Sequence, residues 1–112
     1  MSISDREILE LAAKAAGIGP VIGFAVGPCE LMIGPRAYVR YWNPLTDDGA
    51  ALRLAVKVGL DITFYNGYQE VHADSASGDQ LSPAIEMYGA DRLAATRRAI
   101  VRAAAEIGLT MS

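Results

Sequence analysis

The sequence is poor in the residues from which many catalytic and metal sites are built. Its 112 residues include one cysteine, Cys29, and one histidine, His72. A single cysteine excludes an internal disulfide and a cysteine-rich metal site, and a single histidine excludes paired-histidine chemistry. Cys29 has apolar neighbours, which is typical of a small buried hydrophobe, and nothing in the sequence brings it to His72. His72 lies between Glu70 and Asp74, and we expect it to face solvent.

Long apolar runs and an excess of charge are also missing. No run approaches the ~20 apolar residues of a membrane-spanning helix, and the first residues lack the apolar segment of a signal peptide. The net charge is −3, with five basic and six acidic groups in residues 1–56 and five and seven in residues 57–112. Neither half is basic, so direct nucleic-acid binding is not expected. We expect a cytoplasmic protein that does not bind membranes.

What is present is the composition of a folded protein. Hydrophobic residues make up 52% of the chain and charged residues 21%. Together with the length, this predicts one globular domain, residues 1–112. A surface with few charges favours self-association, because exposed apolar area is covered by a second copy. We therefore expect a homo-oligomer.

No phosphate-binding or nucleophile motif is present. Gly17, Gly19 and Gly23 lack the G-x-G-x-x-G spacing, no P-loop lysine accompanies them, and there is no G-x-S-x-G segment. The sequence predicts a non-enzymatic protein without a cofactor or a metal.

The first helix and the segment after it are marked by caps and turns. Ser4 and Glu7 form a capping box, and Gly17 has the position of a helix C-terminal glycine. The predicted buried side of this helix comprises Ile8, Leu11, Ala12, Ala15 and Ala16. Three Gly-Pro dipeptides then separate runs rich in β-branched and aromatic residues, which predict strands. These runs are Val21–Val26, Cys29–Ile33 and Ala37–Trp42. Whether residues 19–40 form a sheet or a binding arm stays open.

A second helix is predicted after Pro44, which disfavours helical geometry at the residue before it. Thr46 or Asp47 is the expected N-cap, and the helix is expected to run over residues 50–59. Its predicted buried stripe comprises Leu52, Ala55, Val56 and Gly59.

A hairpin follows the second helix. Residues 60–65 alternate like a strand with Leu60, Ile62 and Phe64 on one face, and Asn66-Gly67 predicts a two-residue turn into a returning strand over residues 68–73. Residues 74–79 predict a mobile surface loop. Residues 81–89 are ambiguous, with one helical turn starting at Ser82-Pro83 as one interpretation.

The last helix is the most strongly patterned element. Asp91 is its expected N-cap, its length is about 17 residues, and Gly108 is expected to end it. Its predicted buried side comprises Leu93, Thr96, Ile100, Ala103, Ala104 and Ile107. The order of elements predicts an α/β (α+β) fold, a layered helix–sheet–helix sandwich with three main helices and a mostly antiparallel sheet.

Three segments carry a resemblance to a known group of proteins. Tyr-Trp-Asn-Pro-Leu-Thr-Asp-Asp-Gly with the following helix (41–60), Ala-Ala-Thr-Arg-Arg-Ala-Ile-Val-Arg-Ala-Ala-Ala-Glu-Ile-Gly (94–108) and the first helix (10–18) resemble small tailed-phage and prophage proteins of the phage ABA-sandwich-like type. The resemblance covers roughly half of the chain, and Ala50 departs from it where relatives often carry an aspartate. It implies a three-layer fold and a phage accessory gene, and it implies no reaction.

Two groups of residues are candidate binding sites. In the first, Trp42 and Asn43 stand beside Asp47 and Asp48, so an aromatic anchor adjoins acids that attract a basic partner. The plainer interpretation buries the tryptophan and leaves the acids to cap the helix. Metal binding by the two aspartates is disfavoured because no third acid or histidine lies nearby.

The second group is the arginines of the last helix. Arg97, Arg98 and Arg102 could bind phosphates or an acidic partner, whereas the plainer interpretation is a solvated face partly paired with Asp91 and Glu106.

These observations predict a phage-type accessory protein that acts in the host cell cytoplasm by binding a host protein. Counter-defence inhibition of the anti-CRISPR kind fits a phage gene of this size. The alternative is an oligomer that sequesters a small ligand or nucleotide with Arg97, Arg98, Trp42, Tyr65 and Tyr68. A structural virion component is the third interpretation.

Overall fold

The computed structural model describes residues 4–25, 30–75 and 83–111, and within them the chain forms three helices and six strands. The helices are α1 (Asp5–Ala16), α2 (Asp48–Val58) and α3 (Arg92–Thr110). The strands are β1 (Val21–Ala25), β2 (Glu30–Ile33), β3 (Arg40–Trp42), β4 (Leu60–Tyr65), β5 (Glu70–Ser75) and β6 (Ala84–Met87). Short 3₁₀ turns occupy Arg36–Tyr38 and Asn66–Tyr68.

The strands divide between two antiparallel sheets. β1, β2 and β3 form the first sheet in that order, and β4, β5 and β6 form the second. The predicted α+β class, the three main helices and the antiparallel pairing are confirmed. The division into two sheets was not predicted. The strands before α2 form one sheet and those after it form the other, and the sequence alone does not show which strands pair.

The helices α1 and α3 pack side by side and run in the same direction. Asp5 near the start of α1 pairs with Arg98 of α3, and Lys14 near its end donates a hydrogen bond to the Met111 carbonyl at 2.9 Å. Gly108 lies where the two backbones come closest, since a Cβ at this position would overlap the Leu11 carbonyl. The prediction that Gly108 ends α3 is therefore wrong. The glycine lies inside the helix and permits the close approach.

The predicted caps of α1 are confirmed. The Glu7 amide donates to the Ser4 hydroxyl at 3.2 Å, and Gly17 adopts a left-handed φ of 69°. The buried side is broader than predicted, because α1 contacts α2 and β2 as well as α3. Its buried residues are Ile8, Leu9, Ala12, Ala13 and Ala16, while Leu11 and Ala15 are half-buried.

Asp47 is confirmed as the N-cap of α2. Of the predicted buried stripe of this helix, Ala55 is buried, but the prediction is wrong for Leu52, Val56 and Gly59. The Asp47 carboxylate accepts hydrogen bonds from the Gly49 and Ala50 amides at 2.9 and 3.2 Å. Leu52 is 64% exposed and Val56 is 75% exposed. The buried residues are Ala50, Ala51, Leu54 and Ala55. The sequence of α2 is apolar on two sides, and packing against α1 and α3 buries the side with the smaller residues.

Two loops differ from the predictions. Residues 37–39 belong to a 3₁₀ turn and the approach to β3, so the third predicted strand is shorter than expected. The strand β4 is confirmed, but Tyr65 pairs with Glu70, which makes the connection to β5 four residues long. Gln69, not Gly67, takes the positive φ, at 56°.

The chain after β5 contains a strand, β6, that was not predicted. Asp74 and Ser75 belong to β5 rather than to a loop, and residues 76–82, which include Ser82, lie outside the described residues, as do Val26 and Cys29. Residues 84–87 form β6, whose pairing with Glu70–Ala73 overrides the weak local signal for a helical turn.

The helix α3 begins as predicted and is lined by alanines. The Ala94 amide donates to the Asp91 carboxylate at 3.1 Å, and the helix continues to Thr110. Leu93, predicted to be buried, is exposed, and Thr96 and Ile107 are half-buried. The buried residues are Ala95, Ala99, Ile100, Val101, Ala103, Ala104, Ala105 and Gly108. Across the described residues, we find no helix with the length and apolar character needed to cross a membrane.

Candidate functional site: an apolar groove between two helices

A groove of about 310 Å³ opens between α2, β4 and α3. Its walls come from the exposed side of α2, the outer end of β4 and the first half of α3. The residues that line it are Asp48, Ala51, Leu52, Ala55, Ile62, Phe64, Leu93, Thr96, Arg97 and Ile100. Eight of the ten are neither acidic nor basic, and only Asp48 and Arg97 at one end carry charge. We call this feature the α2–α3 groove.

The rim of the α2–α3 groove is made of large apolar side chains that are open to solvent. Leu52, Phe64 and Leu93 are each more than half exposed, and Val56 follows Leu52 one turn later on α2. Single exposed apolar residues are ordinary, but several that surround one concavity mark an interaction surface. The groove is therefore the strongest candidate for a binding site on the described surface.

The local sequence explains why these side chains meet. Leu52 and Val56 lie on the side of α2 that does not face α1. Phe64 follows Ile62 by two residues on β4, so both side chains lie on the same side of the sheet. Leu93 is in the first turn of α3, before the first buried residue of that helix, Ala95. Within the described residues β4 pairs only with β5, so β4 is an edge strand with one side unpaired.

A partly buried arginine, Arg97, lies at one end of the groove. Arg97 donates from Nη1 to the Asp48 carboxylate at 2.6 Å and from Nε to the Leu45 carbonyl at 2.7 Å. The guanidinium thus joins α3 to the loop before α2 and to the first turn of α2. Two of the predicted site residues, Asp48 and Arg97, are brought together, and they form an ion pair at the groove.

The other members of the tryptophan–aspartate group have separate surroundings. Asn43 is buried, and its side-chain oxygen accepts a hydrogen bond from the Leu45 amide at 2.9 Å. Asp47 caps α2. Trp42 is half-buried against the core and lines a different cleft. The four residues predicted as one recognition surface therefore do not converge on one site.

Three of the four arginines of α3, which are those predicted as a binding site, contact three different elements. Arg97 reaches α2, Arg98 pairs with Asp5 of α1 at 3.1 Å, and Arg102 pairs with Glu86 and donates to the Ile85 carbonyl of β6. The predicted pairing with Asp91 and Glu106 is wrong, because these partners come from elsewhere in the chain. The arginines are therefore not gathered into a single anion site.

A second cleft of about 440 Å³ lies on the other side of α2. We call it the Trp42 cleft. Its lining includes the cations Arg40, Arg53 and Lys57, together with Tyr41 and Trp42. The sequence analysis missed the three cations. The sequence shows the i, i+4 spacing of Arg53 and Lys57, and it shows that Arg40 and Trp42 alternate on a strand. It does not show that these two pairs of residues border one cleft, which depends on the fold.

His72 is half-buried, and the prediction that it faces solvent is wrong. Its Nε2 lies 3.2 Å from a Glu70 carboxylate oxygen, and its ring lies 4.5 Å from the ring of Tyr65, because β5 pairs with β4 at this level. Across residues 4–25, 30–75 and 83–111, no three histidine, cysteine or acidic side chains are grouped closely enough to hold a metal ion.

Comparison of the chain with models of known protein families, with curated proteins and with solved structures gave no match. The groove and the cleft are therefore the features of the described residues that indicate a function.

Proposed function

We propose that the chain is a non-enzymatic binding protein that captures a segment of another protein in the α2–α3 groove. The observation that carries the proposal is the ring of exposed apolar side chains, Leu52, Phe64 and Leu93, around a concave surface. An apolar centre with a charged edge is the usual composition of a protein-binding patch. Here the charged edge is the ion pair of Asp48 with Arg97.

The edge strand beside the groove favours an extended partner segment. The side of β4 away from β5 is unpaired in the described residues. Asp61, Thr63 and Tyr65 are exposed, and they lie on the face of β4 opposite to that of Ile62 and Phe64. An extended segment can add to such an edge through backbone hydrogen bonds while every second side chain enters the neighbouring groove. A partner segment with apolar residues at alternate positions fits both features.

The phage resemblance supports a host protein as the source of this segment. The resembling segments 41–60 and 94–108 contain all of the α2 side of the groove and most of its α3 side. Under this proposal the protein is a phage accessory factor that inhibits a host system by occupying an edge or a binding motif of its target. The ligand-sequestering alternative built on Arg97 and Arg98 has less support, because both guanidinium groups are engaged in ion pairs.

The test compares two leucines on the same helix. Leu93 lines the groove and is 59% exposed, whereas Leu109 lies at the other end of α3 and is 58% exposed. The protein is purified gently from its native host as wild type, Leu93→Gln and Leu109→Gln, and each preparation is examined by native mass spectrometry. We expect a co-purifying protein at fixed stoichiometry with the wild type and with Leu109→Gln. Leu93→Gln should lose it.

The identified partner is then titrated against the purified variants. We expect Leu93→Gln to weaken binding at least about tenfold, because burying an exposed leucine side chain against a partner stabilises the complex by about 1.5–3 kcal/mol. Equal affinity for the three proteins would contradict the proposal. A homodimer that Leu93→Gln disrupts, with no other protein bound, would instead assign the groove to self-association.

A further inference from the structure

The Trp42 cleft shares no residue with the α2–α3 groove, although both use α2. Leu52 and Ala55 face the groove, whereas Arg53, Leu54 and Lys57 face the cleft. Ligand binding in the cleft therefore does not depend on partner binding in the groove, and an experiment that contradicts one leaves the other untouched.

The cations of the cleft are not neutralised by ion pairs in the part of the chain that the structure describes. Within the described residues, no carboxylate oxygen lies within 4.0 Å of the charged nitrogens of Arg40, Arg53 or Lys57. On α3, by contrast, Arg97, Arg98 and Arg102 are all paired. In a chain of net charge −3, three unpaired cations around one concavity create a local positive potential.

The geometry places these charges around an apolar wall. Arg40 and Trp42 are two residues apart on β3 and lie on the same face, the face that carries the buried Ile33 on the neighbouring strand. Arg53 and Lys57 are one turn apart on α2 and border the same cleft. Ile18, Ile33 and Leu54 supply its apolar lining. The cleft thus combines an indole ring and aliphatic surface with a cationic rim.

We propose that the Trp42 cleft binds a nucleoside monophosphate. The base would pack against Trp42 and the apolar lining, and the phosphate would lie among Arg40, Arg53 and Lys57. Arginine and lysine are the residues that bind phosphate oxygens most strongly, and base–aromatic stacking contributes in addition. The volume of about 440 Å³ lies in the range of ~300–1,000 Å³ typical of small-molecule sites.

The test uses Trp42 as its own reporter, since it is the only tryptophan in the chain. Its fluorescence is titrated with adenosine and guanosine 5′-monophosphates, and heats of binding are measured in parallel by calorimetry. Adenosine and inorganic phosphate serve as part-ligands. We expect saturable binding of at least one monophosphate, competition by inorganic phosphate, and affinity at least about tenfold weaker for adenosine than for its monophosphate.

Variants then locate the phosphate. The double substitution Arg53→Gln with Lys57→Gln removes two exposed cations of the rim, and Arg6→Gln removes an exposed cation of α1 that does not line the cleft. We expect the double variant to lose at least about tenfold in affinity and Arg6→Gln to match the wild type. No heat and no saturable quenching with either monophosphate would overturn the proposal. Equal affinity for adenosine and its monophosphate, or equal affinity of the double variant and Arg6→Gln, would also overturn it.

Discussion

At the scale of single residues, the arginines of α3 show how far sequence spacing and structural role diverge. Arg97 and Arg98 are neighbours in the chain and look equivalent in the sequence. The Arg97 side chain is only 16% exposed and makes two hydrogen bonds, one to the loop before α2 and one to the first residue of α2. The Arg98 side chain is 41% exposed and makes one hydrogen bond, to Asp5. Arg97 links α3 to α2, whereas Arg98 forms an ion pair at the surface.

This difference predicts unequal costs of substitution. Arg97→Ala should lower the free energy of unfolding by about 1.5–3 kcal/mol, because it leaves the Leu45 carbonyl and Asp48 without their charged partner. Arg98→Ala should cost no more than about 1 kcal/mol, because an exposed ion pair contributes little. Urea unfolding of the two variants measures both values. If both variants lost the same free energy of unfolding, Arg97 would not stabilise the contact between α3 and α2 more than Arg98 stabilises its surface ion pair.

Residue-scale features that depend on neighbours in sequence were predictable. Ser4, Asp47 and Asp91 act as N-caps where the sequence places them, because a cap needs only a short polar side chain and the amides two or three residues ahead. The partner of Arg97 lies 49 residues away in sequence, and the partner of Arg98 lies 93 away. No local pattern encodes such pairs, so the arginine contacts became visible only with the fold.

At the scale of elements, α2 shows why helical periodicity can be read correctly and still mislead. Leu52 and Val56 form an apolar stripe at i and i+4, but Ala51, Leu54 and Ala55 form another on the adjoining side. Periodicity identifies both stripes and cannot rank them. Close packing against α1 and α3 selects the stripe with the smaller side chains. The stripe of Leu52 and Val56 is left exposed, and Leu52 lines the α2–α3 groove together with Ala51 and Ala55.

The contact between α1 and α3 gives a prediction in which two effects oppose each other. Replacing a glycine inside a helix by alanine normally stabilises the helix by about 1 kcal/mol. At Gly108 the added methyl group would overlap the Leu11 carbonyl, and that backbone atom cannot move without separating the helices. Forced overpacking costs about 1–3 kcal/mol or more, so Gly108→Ala should destabilise the protein. Thermal unfolding followed by circular dichroism shows whether Gly108→Ala lowers or raises the melting temperature.

A second glycine supplies the control for this experiment. A Cβ at Gly67 meets nothing within 4 Å, and Gly67 is not among the glycines with positive φ. Gly67→Ala should leave the melting temperature nearly unchanged or raise it slightly, since alanine restricts the unfolded chain. If Gly108→Ala also raised the melting temperature, the close approach of Gly108 in α3 to the Leu11 carbonyl in α1 would be wrong.

At the scale of the whole molecule, the two sheets correspond to two clusters of buried side chains. The larger cluster joins α1 and α2 to the first sheet and to part of α3, and the smaller joins the second sheet to the other side of α3. Leu60 and Ile62 of β4 pack against both clusters. Because α3 and β4 are common to the two, we expect the described elements to unfold as one cooperative unit.

The test is a substitution in one cluster with a reporter in the other. Val71 is completely buried in the smaller cluster, while Trp42 packs against the larger one. Val71→Ala removes two methylene equivalents and leaves a cavity, which should cost about 2 kcal/mol. The free energy of unfolding falls by about 1–3 kcal/mol per molar urea, so the midpoint of unfolding should fall by about 1 M.

Val56→Ala makes the same chemical change at an exposed position and should leave the midpoint unchanged. Cooperative unfolding requires that Trp42 fluorescence and far-ultraviolet circular dichroism report the same shift for Val71→Ala. A shift in circular dichroism with an unchanged Trp42 transition would show that the two clusters unfold separately.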